Sequence, residues 1–421
     1  MNMPNKIYLD CTHTYNFGLN TGIQRVVKNI VKNIPQVSKE LGIDIISVVS
    51  ISNQYYSFST FPEVNKKNRS FKLFLKQAYI KTRHILDFML PTKFKDILYH
   101  PNIGIFLNKL TDKILFSKKI NIDKLVTPKS NDILILIDTT WLDNNYKQLE
   151  NLRQSGVKIV AVIYDIIPLI HPEFFTKDLV IFFKDWYKKA TKQIDGYIAI
   201  SESVKEDTYA YIKENINPNI EKEKFDYFYL GTNFSTVYDE KKVPDSFKNY
   251  FKTANAYLTV STIEPRKNHS YILDTFDRLW DNNEDVTYIM IGRIGWNTES
   301  LMKRIKSHKE YSKKLFFLED IDDNSLVYAY KNSKALIFAS HAEGFGLPII
   351  ESFFYKLPVI ASDTPIHREI AKEKATYFDL SDTHSLLSII KNQNIKPVND
   401  FIWQDWHEST KELILKSKEI V

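Results

Sequence analysis

Residues 337–365 read IFASHAEGFGLPIIESFFYKLPVIASDTP, and this stretch decides the fold. An apolar run over 335–339 breaks at 340–346. A helical pattern then runs from Leu347 to Tyr355, and a second apolar run follows over 357–361. Strand, glycine-containing turn, helix, strand is one βα unit with its loop at the carboxyl end of a strand. In open α/β sheets, ligands sit at that edge. Gly344 and Gly346 would let a ligand approach the backbone closely, and the following helix would offer free N–H groups to a phosphate or a sugar oxygen. Glu343 and Glu351 flank the turn. If the whole interval were helical they would stand about 12 Å apart along its axis, beyond the roughly 5 to 9.5 Å of a glycosidase pair. Two acids at the two ends of one elongated ligand suit the spacing better.

The string Glu343-Gly-Phe-Gly-Leu-Pro-Ile-Ile-Glu351, followed by Leu-Pro-Val-Ile-Ala-Ser-Asp-Thr-Pro, resembles the E-x7-E signature of retaining, nucleotide-sugar-dependent glycosyltransferases of family 4. The resemblance implies an α/β protein of the GT-B fold, in which two Rossmann-like, doubly wound domains face each other across a cleft. It also implies a hexosyltransferase.

Composition bounds the alternatives. With 421 residues there is room for two domains, and the apolar and charged fractions are those of a globular chain. The single cysteine, Cys11, excludes an internal disulfide framework and any multi-cysteine metal site, and fits a reducing compartment. Residues 1–16 lack the apolar core of a signal peptide, and Asp165 interrupts the most apolar run, 159–170. A cytoplasmic protein is expected. Eleven glycines, about 3% against a usual ~7%, leave most turns glycine-free. Four of them, Gly292, Gly295, Gly344 and Gly346, follow apolar runs in the C-terminal half and point to close backbone approach by a ligand there.

In the N-terminal half, 6–9 reads as a strand and 23–34 as a helix with Val26, Val27, Ile30 and Val31 on one face. Gly22 directly precedes that helix, where a sharp turn would aim amides at an anion, although a plain helix cap fits as well. The stretch Thr21-Gly22-Ile23-Gln24-Arg25-Val26 resembles the family's glycine loop that faces the diphosphate. A strand at 44–51 precedes the least family-like part, 53–130. Residues 66–129 hold 15 Lys/Arg against 4 Asp/Glu, interleaved with aromatic and aliphatic residues, in a chain whose net charge is +6. Such a basic amphipathic segment suits an anionic membrane surface, because many enzymes of the family use lipid-linked acceptors. A solvated helical lid over the cleft is the alternative. No recognised nucleic-acid motif accompanies the charge.

Alternation resumes with strands at 133–137, 158–163, 196–200 and 225–230 and helices at 146–154, 173–190 and 202–212, the last capped by Ser201. Tyr164-Asp165-Ile166-Ile167-Pro168 ends a strand, where a buried acid needs a partner or a task. It resembles the family's His-Asp-x-x-Pro element beside the acceptor and donor sugar, with Tyr164 where many relatives have His, so only Asp165 carries over. Asp138 and Trp141 could line the acceptor cleft.

A polar, lysine-rich stretch at 239–252 reads as a linker. A second βα series follows, with strands at 257–260, 286–291 and 315–318 and helices at 269–280, 299–306 and 324–331. Its first turn, Glu264-Pro265-Arg266-Lys267-Asn268, puts a bidentate fork and a point charge together at a helix N-terminus, a phosphate-binding arrangement. The family uses an Arg and a Lys here on the leaving diphosphate. Some relatives carry a further Arg where this chain has Ser261. Gly292-Arg293-Ile294-Gly295-Trp296 resembles another family turn, in which Arg293 would approach the nucleotide or merely close a turn. Residues 401–420 form an amphipathic segment containing Trp403, Trp406, Leu413 and Leu415.

Together these give an acceptor-binding domain over 1–238, a donor-binding domain over 253–400, and a last helix within 401–421 that by resemblance crosses back onto the first domain. The resemblance assigns Glu343 to the donor sugar's hydroxyls and Glu351 to the ribose. Arg266, Lys267 and the amides of Phe345, Gly346 and Leu347 would meet the diphosphate, with Gly22 facing it across the cleft and Asp165 bordering both sugars. It implies retention of configuration without metal or separate cofactor. The expected partners are a nucleotide-sugar donor, GDP-mannose-like before UDP or dTDP sugars, and a glycan or lipid-linked acceptor of bacterial surface polysaccharide, handled at the cytoplasmic face of the membrane. A GT-B epimerase or a catalytically silent GT-B subunit are the alternatives. The intact charges of Arg266, Lys267, Glu343 and Glu351 argue against silence.

Overall fold

The computed structural model describes residues 6–17, 22–51, 53–62, 122–142, 146–232, 238–253 and 255–421. Most of the basic segment, 63–121, and the Asn20-Thr21 step lie outside the described residues.

Near-continuous apolar runs such as Ile133–Leu136 (ILIL) and Lys158–Ile163 (KIVAVI) are strands because a parallel sheet is covered on both faces. Eight strands form the first sheet: β1 (Lys6–Asp10), β2 (Asp44–Ile51), β3 (Gln54–Ser57), β4 (Leu125–Val126), β5 (Ile133–Leu136), β6 (Lys158–Ile163), β7 (Gly196–Ala199) and β8 (Phe225–Tyr227). Their order is β4-β3-β2-β1-β5-β6-β7-β8, parallel except for β3, which runs against β2 and β4. The second sheet contains β9 (Ala256–Val260), β10 (Thr287–Ile291), β11 (Leu315–Leu318), β12 (Ala335–Phe338), β13 (Val359–Ser362) and β14 (Thr376–Phe378), all parallel, in the order β11-β10-β9-β12-β13-β14.

Strand order reverses between β1 and β5 in the first sheet and between β9 and β12 in the second. At such a switch point the flanking connections leave in opposite directions, and a crevice opens beyond the carboxyl ends of the strands. The turn after β9 contains Arg266 and Lys267, and the turn after β12 contains Glu343.

Three segments differ from expectation. The helix expected over 173–190 begins only at Lys177, after a separate 3-10 turn at Pro172–Phe174. The stretch 239–252 is packed chain rather than a solvated linker, because Phe247, Tyr250 and Phe251 share one face at helical spacing. Phe247 and Phe251 are buried, with rings against Tyr328 at 6.4 and 5.8 Å, and Tyr250 meets Phe316 at 4.8 Å. The last helix is Trp406–Glu419 and excludes Trp403. It lies on helix Gly22–Leu41, where Glu40 holds both His407, at 2.8 Å, and Lys411. Trp403 and Ser409 donate to the carbonyls of Leu230 and Tyr229 at 2.8 and 2.7 Å, so the chain's end is tied to the first sheet.

Candidate active site

Arg266 and Lys267 sit in a one-turn 3-10 segment, Pro265–Lys267, ahead of helix His269–Asp281 rather than in its first turn. Asn268 separates the two at φ +56°, a left-handed conformation that Asn tolerates better than most residues. The turn is tied to the β12 loop by His341 N–H donating to the Arg266 carbonyl at 2.8 Å.

One carboxylate holds both cations. Arg266 Nη1 donates to Glu343 Oε2 at 2.7 Å and to the Ala342 carbonyl at 2.9 Å, and Lys267 Nζ bonds Glu343 Oε1. On its other side Arg266 Nε reaches Glu264 Oε1 at 2.6 Å. Lys267 also lies 5.2 Å from the Phe338 ring centre, on its face. Only 7% of the Glu343 side chain and 17% of the Arg266 side chain are exposed.

Burial works against every charge in the cluster, and the outcome depends on partners. Burial would raise Glu343, but Arg266 and Lys267 outweigh it and hold the carboxyl far below the usual range. Burial would lower Arg266, but Glu343, Glu264 and Asp165 keep its pKa raised. Burial and the Arg266 charge push Lys267 down, with Glu343 opposing. Glu264 and Asp165 stay raised, chiefly by burial. Asp165 crosses from the β6 end to face this cluster, and its Oδ1 also accepts from Ile167 N–H at 3.2 Å. The local hydrogen bond and the proximity to Arg266, Lys267 and Glu343 are present together at Asp165.

Glu351, on helix Leu347–Phe354, is a separate centre. Its Oε2 accepts from Tyr330 OH at 2.7 Å, and its Oε1 lies 3.5 Å from Arg25 Nη2 on helix Gly22–Leu41 of the first sheet. Gly22 is the first residue of that helix, and a Cβ added there would meet no atom within 4 Å. Gly346 takes φ +102° at the start of helix Leu347–Phe354, as the strand-to-helix turn requires, and Leu347 is its first residue. The Phe345 ring is buried between Tyr229 and Trp403, at 6.2 and 5.9 Å.

Three of the four marked glycines are explained by protein rather than ligand. A Cβ on Gly292 would stand 1.8 Å from the Ser261 carbonyl oxygen and one on Gly295 2.6 Å from that of Ile263, so these glycines let β10 close on the turn after β9. At Gly344 the Cβ would meet the Tyr164 carbonyl at 2.1 Å, across the two sheets. Asp138 and Trp141 are structural as well. Asp138 accepts from Thr14 N–H at 2.5 Å, and Trp141 packs 4.8 Å from Phe183. Trp296 donates to the Phe174 carbonyl at 2.7 Å. A cavity of about 350 Å³ lies elsewhere, between the β11 end and residues 244–250. Its Asp322 is occupied in capping helix Asp323–Asn332, and the charged chemistry lies at the Arg266–Glu343 cluster.

Tyr330 and Arg25 carried no signal as a pair in the sequence, because they flank Glu351 from different parts of the chain. Glu264 shares the short turn of Arg266, and a salt bridge between Glu264 and that basic turn was legible from the sequence.

Residues 243–386 match the family model described as "Glycosyl transferases group 1". The chain carries a group 1 glycosyl transferase domain. Its similarity to curated proteins extends beyond that domain. The chain is 34% identical over 321 residues to the serotype-specific mannosyltransferase WbdA of Escherichia coli, covering 73% of this chain and 39% of WbdA. It is 29% identical over 234 residues to the O-antigen chain mannosyltransferase RfbU of Salmonella typhimurium, covering 55% and 59%. The chain thus spans less than two thirds of either relative's length, and about two fifths of WbdA. Among solved structures, Anabaena HepE, crystallised with UDP and glucose, superposes with a TM-score of 0.53 at 12% identity over 99% of this chain and 93% of that one. A Rickettsia africae glycosyltransferase gives 0.50 at 16% over 100% and 94%. The group 1 glycosyl transferase domain and the sheet before it together make a GT-B fold.

Proposed function

We propose that the protein is a retaining glycosyltransferase that moves a mannose-like sugar from a nucleotide diphosphate sugar to a glycan or lipid-linked acceptor in bacterial surface polysaccharide synthesis. One observation carries this: a buried Arg266–Glu343–Lys267 cluster at the switch point of the second sheet, faced by Asp165 from the first. The mannosyltransferase relatives support the sugar.

Breaking the sugar–phosphate bond leaves negative charge on the diphosphate and positive charge on the sugar. Arg266 and Lys267 would stabilise the first as it develops, where fixed charges help most. Both cations are paired with the single Glu343 carboxylate, so an arriving diphosphate exchanges partners with that carboxylate instead of meeting bare cations. Glu343, released from Lys267, would then accept hydrogen bonds from the sugar's hydroxyls. Glu351, already oriented by Tyr330, would take the ribose hydroxyls. Asp165 would border the transferred sugar and the acceptor, and Gly22, with the amides of Phe345, Gly346 and Leu347, would approach the diphosphate. Metal independence, work at the cytoplasmic face, and peripheral membrane attachment through the basic segment are parts of the same proposal. Among the described residues no helix is long and apolar enough to cross a membrane.

Calorimetric titration with GDP, UDP and dTDP without added metal tests the donor site. Binding of GDP in preference to the others is the expected result, and Arg266→Ala and Glu351→Ala should each weaken it. Binding of none by the folded protein, or full binding by both variants, would overturn the assignment.

A further inference from the structure

The N-terminus of helix Glu202–Asn215, which follows β7, is capped from the other half of the molecule. Ser201 is its own N-cap, with Oγ accepting from Val204 N–H at 3.2 Å. The residue that would complete a capping box, three positions after Ser201, is Val204 and cannot. Glu369, on helix Pro365–Ala371 after β13, supplies the missing carboxylate. It accepts from the amides of Glu202 and Ser203 at 2.7 and 2.8 Å and from Ser203 OH at 2.5 Å. Tyr229 also hydrogen-bonds it. An anion on free helix amides is favoured by hydrogen bonding and by the helix dipole together.

The same helix start touches the catalytic loop. Ser201 Oγ donates to the Gly344 carbonyl at 2.9 Å, directly after Glu343, while Gly344 itself lies against the Tyr164 carbonyl. Closing the two domains and seating the Glu343 loop therefore use one set of atoms. On the far flank the Trp296 indole bonds the Phe174 carbonyl at 2.7 Å and its ring lies 5.6 Å from Phe175.

We propose that Glu369 is a positioning residue, an interdomain latch that holds the cleft closed by capping helix Glu202–Asn215 and so presses Gly344, and with it Glu343, into place. Glu202 is exposed and Ser203 only half-buried, so water can replace Glu369 on these groups when the latch opens. That makes the latch reversible, as a cleft that must admit a donor and release a nucleotide requires. Its effect on catalysis rests on the glycosyltransferase reading; its effect on shape does not.

The experiment is small-angle X-ray scattering on wild type, Glu369→Ala and Gly344→Ala, without ligand, with thermal melts to show that each variant is folded. Gly344→Ala acts independently of Glu369, since its Cβ forces the Tyr164 contact apart. Both variants should show a larger radius of gyration than wild type, with the closed population of Glu369→Ala down roughly tenfold. Calorimetry should leave the nucleotide affinity of Glu369→Ala within about threefold of wild type, because Glu369 touches none of Arg266, Lys267 and Glu351. If a nucleotide sugar is a donor, its acceptor-independent hydrolysis should rise relative to transfer in Glu369→Ala, because an open cleft admits water. Scattering curves for both variants that superpose on wild type would overturn the latch. Wild type that binds no nucleotide while the variants still expand would overturn the donor-site reading and uphold the latch.

Discussion

Glu343 and Glu351 lie eight residues apart in one loop and helix, and their surroundings differ almost completely. Glu343 is nearly sealed and carries Arg266 and Lys267 on its two oxygens. Glu351, with 19% of its side chain exposed, shares its charge with a tyrosine hydroxyl and a half-exposed arginine at 3.5 Å. Taking one partner from a buried ion cluster strands a charge in low dielectric, whereas an exposed pair relaxes into water. The two carboxylates should therefore behave unlike each other under the same substitution, although the sequence presents them as a matched pair.

The largest difference should come from Glu343→Ala. It leaves Arg266 and Lys267 facing each other without their shared counter-ion, and unfolding in denaturant should show a loss on the order of 3 kcal/mol. Sugar transfer should fall by at least ~100-fold. A loss no larger than that of Glu351→Ala would erase the contrast.

Arg266→Lys sharpens the comparison by keeping the charge and removing the fork. A lysine there cannot bridge Glu264 and Glu343 as the guanidinium does, so nucleotide affinity measured by calorimetry should drop by roughly tenfold. Equal affinity would mean that charge alone suffices.

Acid offers a third comparison. Glu343 is depressed in the folded state, so its contribution is present above the unfolded carboxylate value and is lost only as pH falls below about 4. Asp10, at the β1 end, has the opposite sign. Burial pushes its carboxyl up to about 6, although it accepts from Thr12 N–H, Thr12 OH and Tyr55 OH. Between pH ~4 and 6 the folded state binds the extra proton, so Asp10 makes stability fall as pH rises through that window, by up to about 3 kcal/mol. Asp10→Asn should flatten that slope in urea melts taken across pH 4 to 7 and leave the loss below pH 4 in place.

The smallest effect belongs to Arg25→Ala. A pair with one half-exposed partner at this distance contributes under about 1 kcal/mol, and the midpoint of thermal unfolding should hardly move. A large shift would show that Glu351 depends on its cross-domain partner as Glu343 depends on its cations.

The sequence by itself determined the alternation of strands and helices, because parallel strands buried on both faces appear as short apolar runs. Helix Tyr146–Gln154 and strands Lys158–Ile163 and Leu315–Leu318 stand at the residues the pattern indicated. It also marked Arg266, Lys267, Glu343 and Glu351, since each charge sits in a short local motif beside a strand end. Tertiary structure alone decided what those charges touch. Arg266 and Glu343 are 77 residues apart, and only the adjacency of β9 and β12 at the switch point makes them one ion cluster. Gly344, marked as room for a ligand, is room for the Tyr164 carbonyl. Residues 239–252, polar in composition, are packed because three aromatics at helical spacing outweigh their lysines once a neighbouring helix is present. Glu369 was silent in the sequence for the same physical reason: a cap normally lies within three residues of its helix start, and this one arrives from 166 residues away. Local patterns record which atoms a residue brings, and burial and partners, which set its charge and its strength, come only with the fold.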